Sequence, residues 1–172
     1  MQVPLLINDV DWNNWRPDDH AVLCFLRSDC RLLLIHKKRG LGKGKINGPG
    51  GRIEPGESAR AAAIRETREE VGLTPIEPRA RGELSFLFSS GYGMHVRVFF
   101  AERWSGELTE TDEARPFWCP FSEIPYDRMW ADDRLWLPQA LQGHHFRGRF
   151  TFDGDTMLDY AIEPSAGGNQ SR

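Results

Sequence analysis

The sequence predicts a single α+β domain in which helices pack against a mixed β-sheet. Apolar runs punctuated by Gly and Pro alternate with two segments of helical pattern, and no internal repeat is present. The 172 residues are 40% hydrophobic and 27% charged, which is ordinary for one packed globular domain. These observations favour a folded α+β protein over a disordered, fibrous or membrane-spanning one.

The strands are predicted from short apolar runs bounded by turn-forming residues. The first two, AVLCFL and RLLLIH, flank the turn-like RSDC and indicate a strand pair. Three further candidates follow in the order GELSFLF, HVRVFFAERW and PFWCPF. A late hairpin is predicted from RGRFTF and TMLDYAI around the turn sequence DGD.

The helices are predicted from propensity and capping signals. Residues 58–71 begin with Ser58 as a candidate cap, continue through an Ala-rich turn and end before Gly72. A second helix is expected from about Asp132 to Gln142. The final EPSAGGNQSR has the composition of a disordered end.

Composition also restricts the partners and the compartment. The formal net charge of −3 gives no global attraction to nucleic acid or to an anionic membrane, so phosphate binding would require a local site or a metal. We therefore expect no nucleic-acid polymer and no membrane among the partners. The three cysteines lack CxxC spacing, which argues against a zinc site or a disulfide framework. The N-terminal segment has no basic leader, so a cytoplasmic protein is expected.

The first helix carries an unusual group of carboxylates. Glu66, Glu69 and Glu70 stand at i, i+3 and i+4 and share one face, where like charges repel. A hard divalent cation such as Mg²⁺ would reverse that repulsion, because it prefers oxygen ligands. Arg65 is placed to orient Glu69 by a charge-assisted hydrogen bond. An ordinary charged helix surface is the alternative for this motif taken alone.

The motif extends well beyond the helix carboxylates. Gly51, Glu57, Arg65–Glu66, Glu69–Glu70 and Gly72–Leu73 have the spacing G-x5-E-x7-R-E-x-x-E-E-x-G-hydrophobic. This pattern resembles the signature of the Nudix hydrolases, with Thr67 where an aliphatic residue is usual. The resemblance implies the Nudix fold, an αβα sandwich with a mixed sheet and a loop-helix-loop motif. It also implies cleavage of a nucleoside diphosphate linked to another group.

The resemblance further implies the roles of the motif residues. Glu66, Glu69 and Glu70 would coordinate Mg²⁺, or alternatively Mn²⁺, together with the backbone carbonyl of Gly50. Arg65 would position the helix carboxylates, as would Glu57. The metal would neutralise the polyphosphate and acidify a water whose proton one carboxylate accepts.

From about His20 to Glu163 the chain is similar to the MutT-homologue group of Nudix enzymes, which hydrolyse oxidised purine nucleoside triphosphates. The similarity lies in KKRGLGKGKINGPGG at 37–51, TDEARP at 111–116, MWADDRLWLP at 129–138 and DTMLDY at 155–160. It implies that Glu113 approaches the metals and is, with Glu70, a candidate general base. The residues it implies for substrate binding are Lys37, Asn47, Gly51, Phe86, Trp130, Asp132 and Asp133.

The two adjacent aspartates have a chemical consequence for base recognition. Two carboxyls side by side in an apolar pocket do not both ionise easily, so one is expected to stay protonated. Such a pair would present a donor or an acceptor and could accept both guanine-like and adenine-like edges. The alternative for WADDRLW is a helix start in which an aspartate caps and Trp130 and Trp136 are core residues. Departures at Val22, Leu41, Ile46 and Ala131 leave the preferred base open.

The sequence-based prediction is therefore a metal-dependent pyrophosphohydrolase of modified purine nucleoside triphosphates, a monomer that cleans the nucleotide pool. The domain would span 20–163, between an N-terminal extension at 1–19 and a disordered tail at 164–172. Three roles are open to the extension: covering the core, mediating a dimer or restricting the pocket. A Nudix enzyme acting on another nucleotide, such as a dinucleoside polyphosphate, and a non-catalytic nucleotide sensor are the alternatives.

Overall fold

A computed structural model of the chain describes residues 5–166. It contains two α-helices, α1 (Ala59–Val71) and α2 (Asp133–Leu141), and three short 3-10 helices. Eleven strands make up the rest of the regular structure. In chain order they are β1 (Asp19–Ser28), β2 (Arg31–Lys37), β3 (Ile46–Asn47), β4 (Gly50–Arg52), β5 (Leu73–Ile76), β6 (Arg79–Phe88), β7 (Gly93–Ala101), β8 (Arg103–Gly106), β9 (Ala114–Pro120), β10 (Phe146–Asp153) and β11 (Thr156–Pro164).

Nine of these strands form one mixed sheet. Its order is β11-β10-β6-β7-β1-β2-β3, with β4 also paired to β1 and β9 also paired to β2. The β1–β7 and β6–β10 pairs are parallel, and the other pairs are antiparallel. A separate two-stranded sheet joins β5 to β8. The α+β prediction is therefore confirmed.

Two apolar layers, one on each face of the sheet, complete the sandwich. Strand β1 contributes side chains to both layers, because successive side chains of a strand point to opposite faces. Phe25 lies in the layer beneath α2, where it meets Trp136, whereas Cys24 lies in the layer beneath α1 with Ala62 and Ala63. Burial of these side chains fixes both helices against one sheet.

The first helix follows its sequence signals. Ser58 Oγ accepts a hydrogen bond from the Ala61 amide at 3.1 Å, and Gly72 ends the helix in the left-handed conformation at φ 79°. Thr67 is fully buried, and its hydroxyl donates to the Ala63 carbonyl at 2.7 Å. A polar residue is therefore accommodated where the family pattern usually has an aliphatic one.

Some of the predicted strand bounds need correction. The run HVRVFFAERW is not one strand, since β7 ends at Ala101 and β8 leaves the main sheet to pair with β5. The motif loop also contains a short strand, β4, that was not predicted. Its glycines lie against β1, and a Cβ on Gly50 would collide with the carbonyl of Val22.

The N-terminal extension packs against β10 and β11. The amide of Ile7 donates to the Asp159 carboxylate at 2.9 Å, and the Arg149 guanidinium lies 5.7 Å from the centroid of the Trp12 ring. Residues 5–18 do not line the cavity described below. Of the roles considered for the extension, covering the sheet fits these contacts.

At the other end, β11 continues to Pro164, and the Ser165 amide donates to the carbonyl of His145 at 3.0 Å. The rest of the predicted tail, 167–172, lies outside the described residues. Neither helix within 5–166 has the length and apolar run that a membrane crossing requires.

Candidate active site

A cavity of about 520 Å³ lies between α1, the sheet and the start of α2. It brings together eleven of the predicted site residues. They are Lys37, Asn47, Gly50, Gly51, Glu66, Glu70, Phe86, Glu113, Trp130, Asp132 and Asp133. The remaining two, Arg65 and Glu69, do not line the cavity and lie behind or beside its acidic wall.

Arg65 organises the charged wall. Its guanidinium donates to both carboxylate oxygens of Glu57, at 2.7 and 2.8 Å, and to Glu66 at 2.8 Å. It also donates to the Arg52 carbonyl at 3.1 Å and to Glu69 at 3.2 Å. The hydrogen bonds from Arg65 lower the pKa of Glu57 to about 2. The geometry therefore holds Glu57 ionised and anchors the motif loop to the helix.

Close packing places Glu66 against the glycine loop. A Cβ on Gly51 would collide with the carboxylate of Glu66, so only glycine fits at this position without movement. Burial raises the pKa of Glu66, while its hydrogen bond from Arg65 acts in the opposite direction. The side chain is thus held at the cavity wall rather than in solvent.

Glu66, Glu70 and Glu113 converge on one point. A carboxylate oxygen of each lies within 4.8 Å of the other two. Glu70 is only 4% exposed, and its Oε2 atom is buried without a hydrogen-bond partner among the described residues. Burial raises the pKa of Glu70 to about 8, while the positive charge of Lys37 opposes that rise. Oxygen ligands with an unsatisfied buried atom suit a hard divalent cation.

One member of this group comes from outside the helix. Glu113 lies just before β9, and its Oε1 atom accepts a hydrogen bond from Arg39 at 2.7 Å. Thr111 donates to the backbone carbonyl of Glu70 at 2.8 Å, which ties the Glu113 loop to the end of α1. Glu69 is not in the group, because its side chain is half exposed and lies next to Arg65.

The opposite end of the cavity contains the two aspartates. Asp132 Oδ2 accepts a hydrogen bond from Trp136 Nε1 at 2.9 Å, while Asp132 Oδ1 and Asp133 Oδ2 are buried without partners among the described residues. Burial raises the pKa of Asp132 to about 6 and that of Asp133 well above its usual value. The charge of Asp132 contributes to the rise at Asp133.

The capping alternative for the aspartates is wrong for their side chains. Asp132 occupies the N-cap of α2, but its side chain makes no capping hydrogen bond. Trp136 is a core residue, as that alternative expected, whereas Trp130 is partly buried and lines the cavity. The two carboxyls are therefore available to a ligand in the cavity.

Asn47 and Trp130 line the same cavity as the aspartates. The side-chain oxygen of Asn47 accepts a hydrogen bond from the Gly48 amide at 2.8 Å, which leaves the amide NH₂ to donate elsewhere. Phe86 is both a cavity wall and a core residue, since it stacks on Phe150 with ring centroids 5.3 Å apart.

Two contacts of the 37–45 loop were not predicted. Lys45 Nζ lies 5.1 Å from the ring centroid of Trp130, and a Cβ on Gly42 would come within 2.9 Å of Trp130 Nε1. Together with the Arg39 contact to Glu113, they show that the basic loop packs against the cavity. The sequence has no signal for these pairs, since Arg39 and Glu113 are 74 residues apart.

The departures from the family pattern fall in different places. Val22 and Leu41 line the cavity, Leu41 as an exposed side chain at its rim. Ile46 is buried in the core, and Ala131 is partly buried against it. Only the first two therefore touch the space open to a ligand.

Known proteins share both the sequence and the fold. Residues 17–140 match the NUDIX domain family. The chain is 43% identical over 135 residues to an oxidized purine nucleoside triphosphate hydrolase of Danio rerio, covering 77% of this chain and 86% of that protein. A mouse (Mus musculus) protein of the same description is 42% identical over 134 residues, with the same coverage.

Among solved structures, a mutator MutT protein from Bacillus halodurans is similar with a TM-score of 0.77 and 26% identity. The similarity covers 86% of this chain and 99% of that one. The predicted Nudix fold is thereby confirmed. With its signature loop, helix and sandwich all accounted for, the chain belongs to the Nudix hydrolase family.

Proposed function

We propose that this protein hydrolyses oxidised or otherwise modified purine (deoxy)nucleoside triphosphates to the monophosphate and pyrophosphate, and so cleans the nucleotide pool. The observation that carries the proposal is the two-ended cavity. Three glutamates lie at one end, and two aspartates whose pKa values are raised by burial lie at the other. Relatives described as oxidized purine nucleoside triphosphate hydrolases support the same substrate class.

The glutamate end fits a divalent cation. Glu66, Glu70 and Glu113 would hold it. The Gly50 carbonyl and Glu69 remain predictions as additional ligands. A bound cation would supply positive charge to the phosphates and acidify a water. Mg²⁺ is the expected metal, with Mn²⁺ as an alternative.

Proton transfer is assigned to Glu70. The attacking water forms a bond to phosphorus, its proton passes to a carboxylate, and pyrophosphate leaves with the electrons of the broken P–O bond. Glu70 has a buried oxygen without a hydrogen-bond partner among the described residues, and that oxygen is the proposed acceptor of the proton. Glu113 is the second candidate for this role.

The aspartate end is suited to a purine edge. With one proton shared over the pair, Asp133 donates and Asp132 accepts, while the Asn47 NH₂ group donates to a further acceptor. Guanine-like and adenine-like edges place donors and acceptors in different orders, and moving the proton between the carboxyls matches either one. Trp130 and Phe86 offer apolar surface to the ring.

Pyrophosphate release tests the proposal. The panel contains dGTP, 8-oxo-dGTP, dATP, 2-hydroxy-dATP, O6-methyl-guanine and N6-methyl-adenine triphosphates, and a dinucleoside polyphosphate, each with Mg²⁺. A clear preference for a modified purine over its normal parent is expected. Cleavage of the dinucleoside alone would keep the enzyme class and reject the base pocket. Nucleotide binding without turnover would favour the sensor alternative.

Three further expectations stay predictions of the same proposal. They are Mg²⁺ rather than Mn²⁺ as the working metal, a monomeric enzyme and a cytoplasmic location. Activity with each metal, sedimentation of the purified protein and cell fractionation address them separately.

A further inference from the structure

A second cavity, of about 500 Å³, lies on the opposite face of the main sheet. Strands β6 and β7 contribute to both cavities, because their side chains alternate between the faces. Leu84 and Val96 line the first cavity, whereas Glu83 and Arg97 line the second. The two cavities are therefore separate, although they share two strands as a common wall.

The second cavity is strongly basic in a protein of net negative charge. Five arginines line it against two glutamates. The arginines are Arg60, Arg79, Arg81, Arg97 and Arg147, and the glutamates are Glu77 and Glu83. Both glutamates are engaged, Glu77 by Arg103 at 2.9 Å and Glu83 by Arg147 at 3.5 Å. The lining keeps an excess of positive charge.

Arg97 is the central feature of this cavity. Its Nε atom is buried and has no hydrogen-bond partner among residues 5–166. Glu83 stands opposite Arg97 in the β6–β7 register, but its carboxylate lies next to Arg147 and His95 instead. A buried guanidinium donor without an acceptor is costly. The Arg97 side chain also lines the cavity, so an anion bound there would lie beside this uncompensated positive charge.

Two neighbouring histidines indicate the same local excess of positive charge. Arg81 donates to His145 Nε2 at 3.2 Å, so that ring nitrogen acts as an acceptor and does not neutralise the arginine. Burial lowers the pKa of His95, and the positive charges of Arg97 and Arg147 lower it further, against the opposing effect of Glu83.

We propose that this cavity binds a small anion bearing phosphate groups, at a site separate from the hydrolytic one. Guanidinium groups match phosphate oxygens with paired N–H donors, and five of them line one concave surface. The volume accommodates a pyrophosphate or the diphosphate part of a nucleotide. The inference does not depend on the proposed hydrolytic function.

Calorimetric titration of the full chain with inorganic pyrophosphate tests the site. EDTA is present throughout, so that metal-dependent binding in the first cavity is removed. The variants are Arg97→Gln in the cavity wall and Arg79→Gln at an exposed lining position. The matched control is Arg31→Gln, which makes the same charge change at an exposed position outside both cavities.

Saturable binding is expected for wild type and Arg31→Gln, with Arg97→Gln weaker by about tenfold and Arg79→Gln weaker to a smaller extent. Should Arg97→Gln fail to fold, Arg79→Gln alone decides. Equal affinity of all folded variants, or no saturable binding, would overturn the proposal. So would binding of a single-stranded oligonucleotide in preference to pyrophosphate, since that indicates a polymer surface.

A parallel titration with ADP identifies the source of the phosphate. Affinity equal to that for pyrophosphate, lost in Arg97→Gln, assigns the site to the phosphate groups alone. Tighter binding of ADP, also lost in Arg97→Gln, assigns it to a nucleotide. Either result supports the site, and ADP binding that is unaffected by Arg97→Gln and Arg79→Gln counts against it.

Discussion

The carboxylate of Glu57, behind the glutamate end of the cavity, and those at its aspartate end differ in whether a basic side chain contacts them. Beside Arg65, the pKa of Glu57 falls to about 2. At the other end no basic side chain contacts Asp132 or Asp133 among the described residues, and burial raises the pKa of both. The same functional group is thus a fixed charge at Glu57 and a hydrogen-bonding group that holds a proton at Asp133.

The largest expected effect is at Glu70, the buried carboxylate of the glutamate group. Glu70→Gln keeps the size of the side chain but removes the proton acceptor, so kcat should fall by about 10²–10⁴-fold. Nucleotide binding should persist. Steady-state kinetics and a binding titration measure the two effects, with Glu123→Gln, an exposed glutamate outside the cavity, as the matched control. Unchanged kcat would remove Glu70 from the chemistry.

The second prediction removes the guanidinium that holds Glu57 in its charged form. Arg65→Met leaves Glu57 and Glu66 without their shared partner, so unfolding free energy should fall by about 3 kcal/mol and kcat by about 10–100-fold. Denaturant unfolding and kinetics test both. Arg68→Met, on the exposed side of the same helix, is the control. Equal stability of the two variants would contradict the organising role of Arg65.

The aspartates should differ from each other. In Asp132→Asn the amide oxygen can keep the Trp136 hydrogen bond, but an NH₂ group then replaces the free acceptor, so KM for a modified purine should rise about 10–100-fold. Asp133→Asn retains a donor and should change KM by less than about threefold. Substrate kinetics on both variants decide this order. A reversed order would place the proton on Asp132.

The smallest expected effect is on the pH dependence of stability. A carboxyl whose pKa is raised by folding holds its proton in the folded state after the unfolded chain has lost it. Stability from Asp132 is therefore present below its usual pKa of 3.8 and is lost as pH rises towards about 6, and the raised pKa of Asp133 acts in the same direction.

Asp133→Asn should flatten this decline, so the variant gains on wild type as pH rises. Thermal melts at pH 5 and pH 8 measure the difference, at roughly 2–4 °C per kcal/mol. Asp127→Asn, an exposed aspartate on the segment before α2, is the matched control. A variant that loses stability equally at both pH values would indicate that Asp133 is not buried with a proton.

The sequence predicted those parts of the fold that depend on local pattern. Apolar runs and capping residues identified the long strands and α1, because Ser58 and Gly72 act within one helical turn. The short β3, β4 and β5 were missed. Strand β4 consists of Gly-Gly-Arg and exists only because its backbone pairs with β1, which no local propensity records.

The candidate site divides in the same way. Spacing placed Glu66 and Glu70 on one helix face, and the family resemblance indicated the aspartates. Neither the spacing nor the resemblance predicted which carboxylates are buried. Burial is what raises the pKa of Glu70 and distinguishes it from the half-exposed Glu69. The contacts of Arg39 and Lys45 also escaped prediction, since they join distant segments of the chain.

The hydrogen bond from Trp136 to Asp132 has a spectroscopic consequence. Trp136 is fully buried, so its indole emission is shielded from dissolved quenchers, and its N–H group points at a carboxylate of the base pocket. A change in the protonation of Asp132, or its engagement by a purine, alters the electric field at that indole. We therefore expect the emission of Trp136 to report whether the proposed base pocket is occupied.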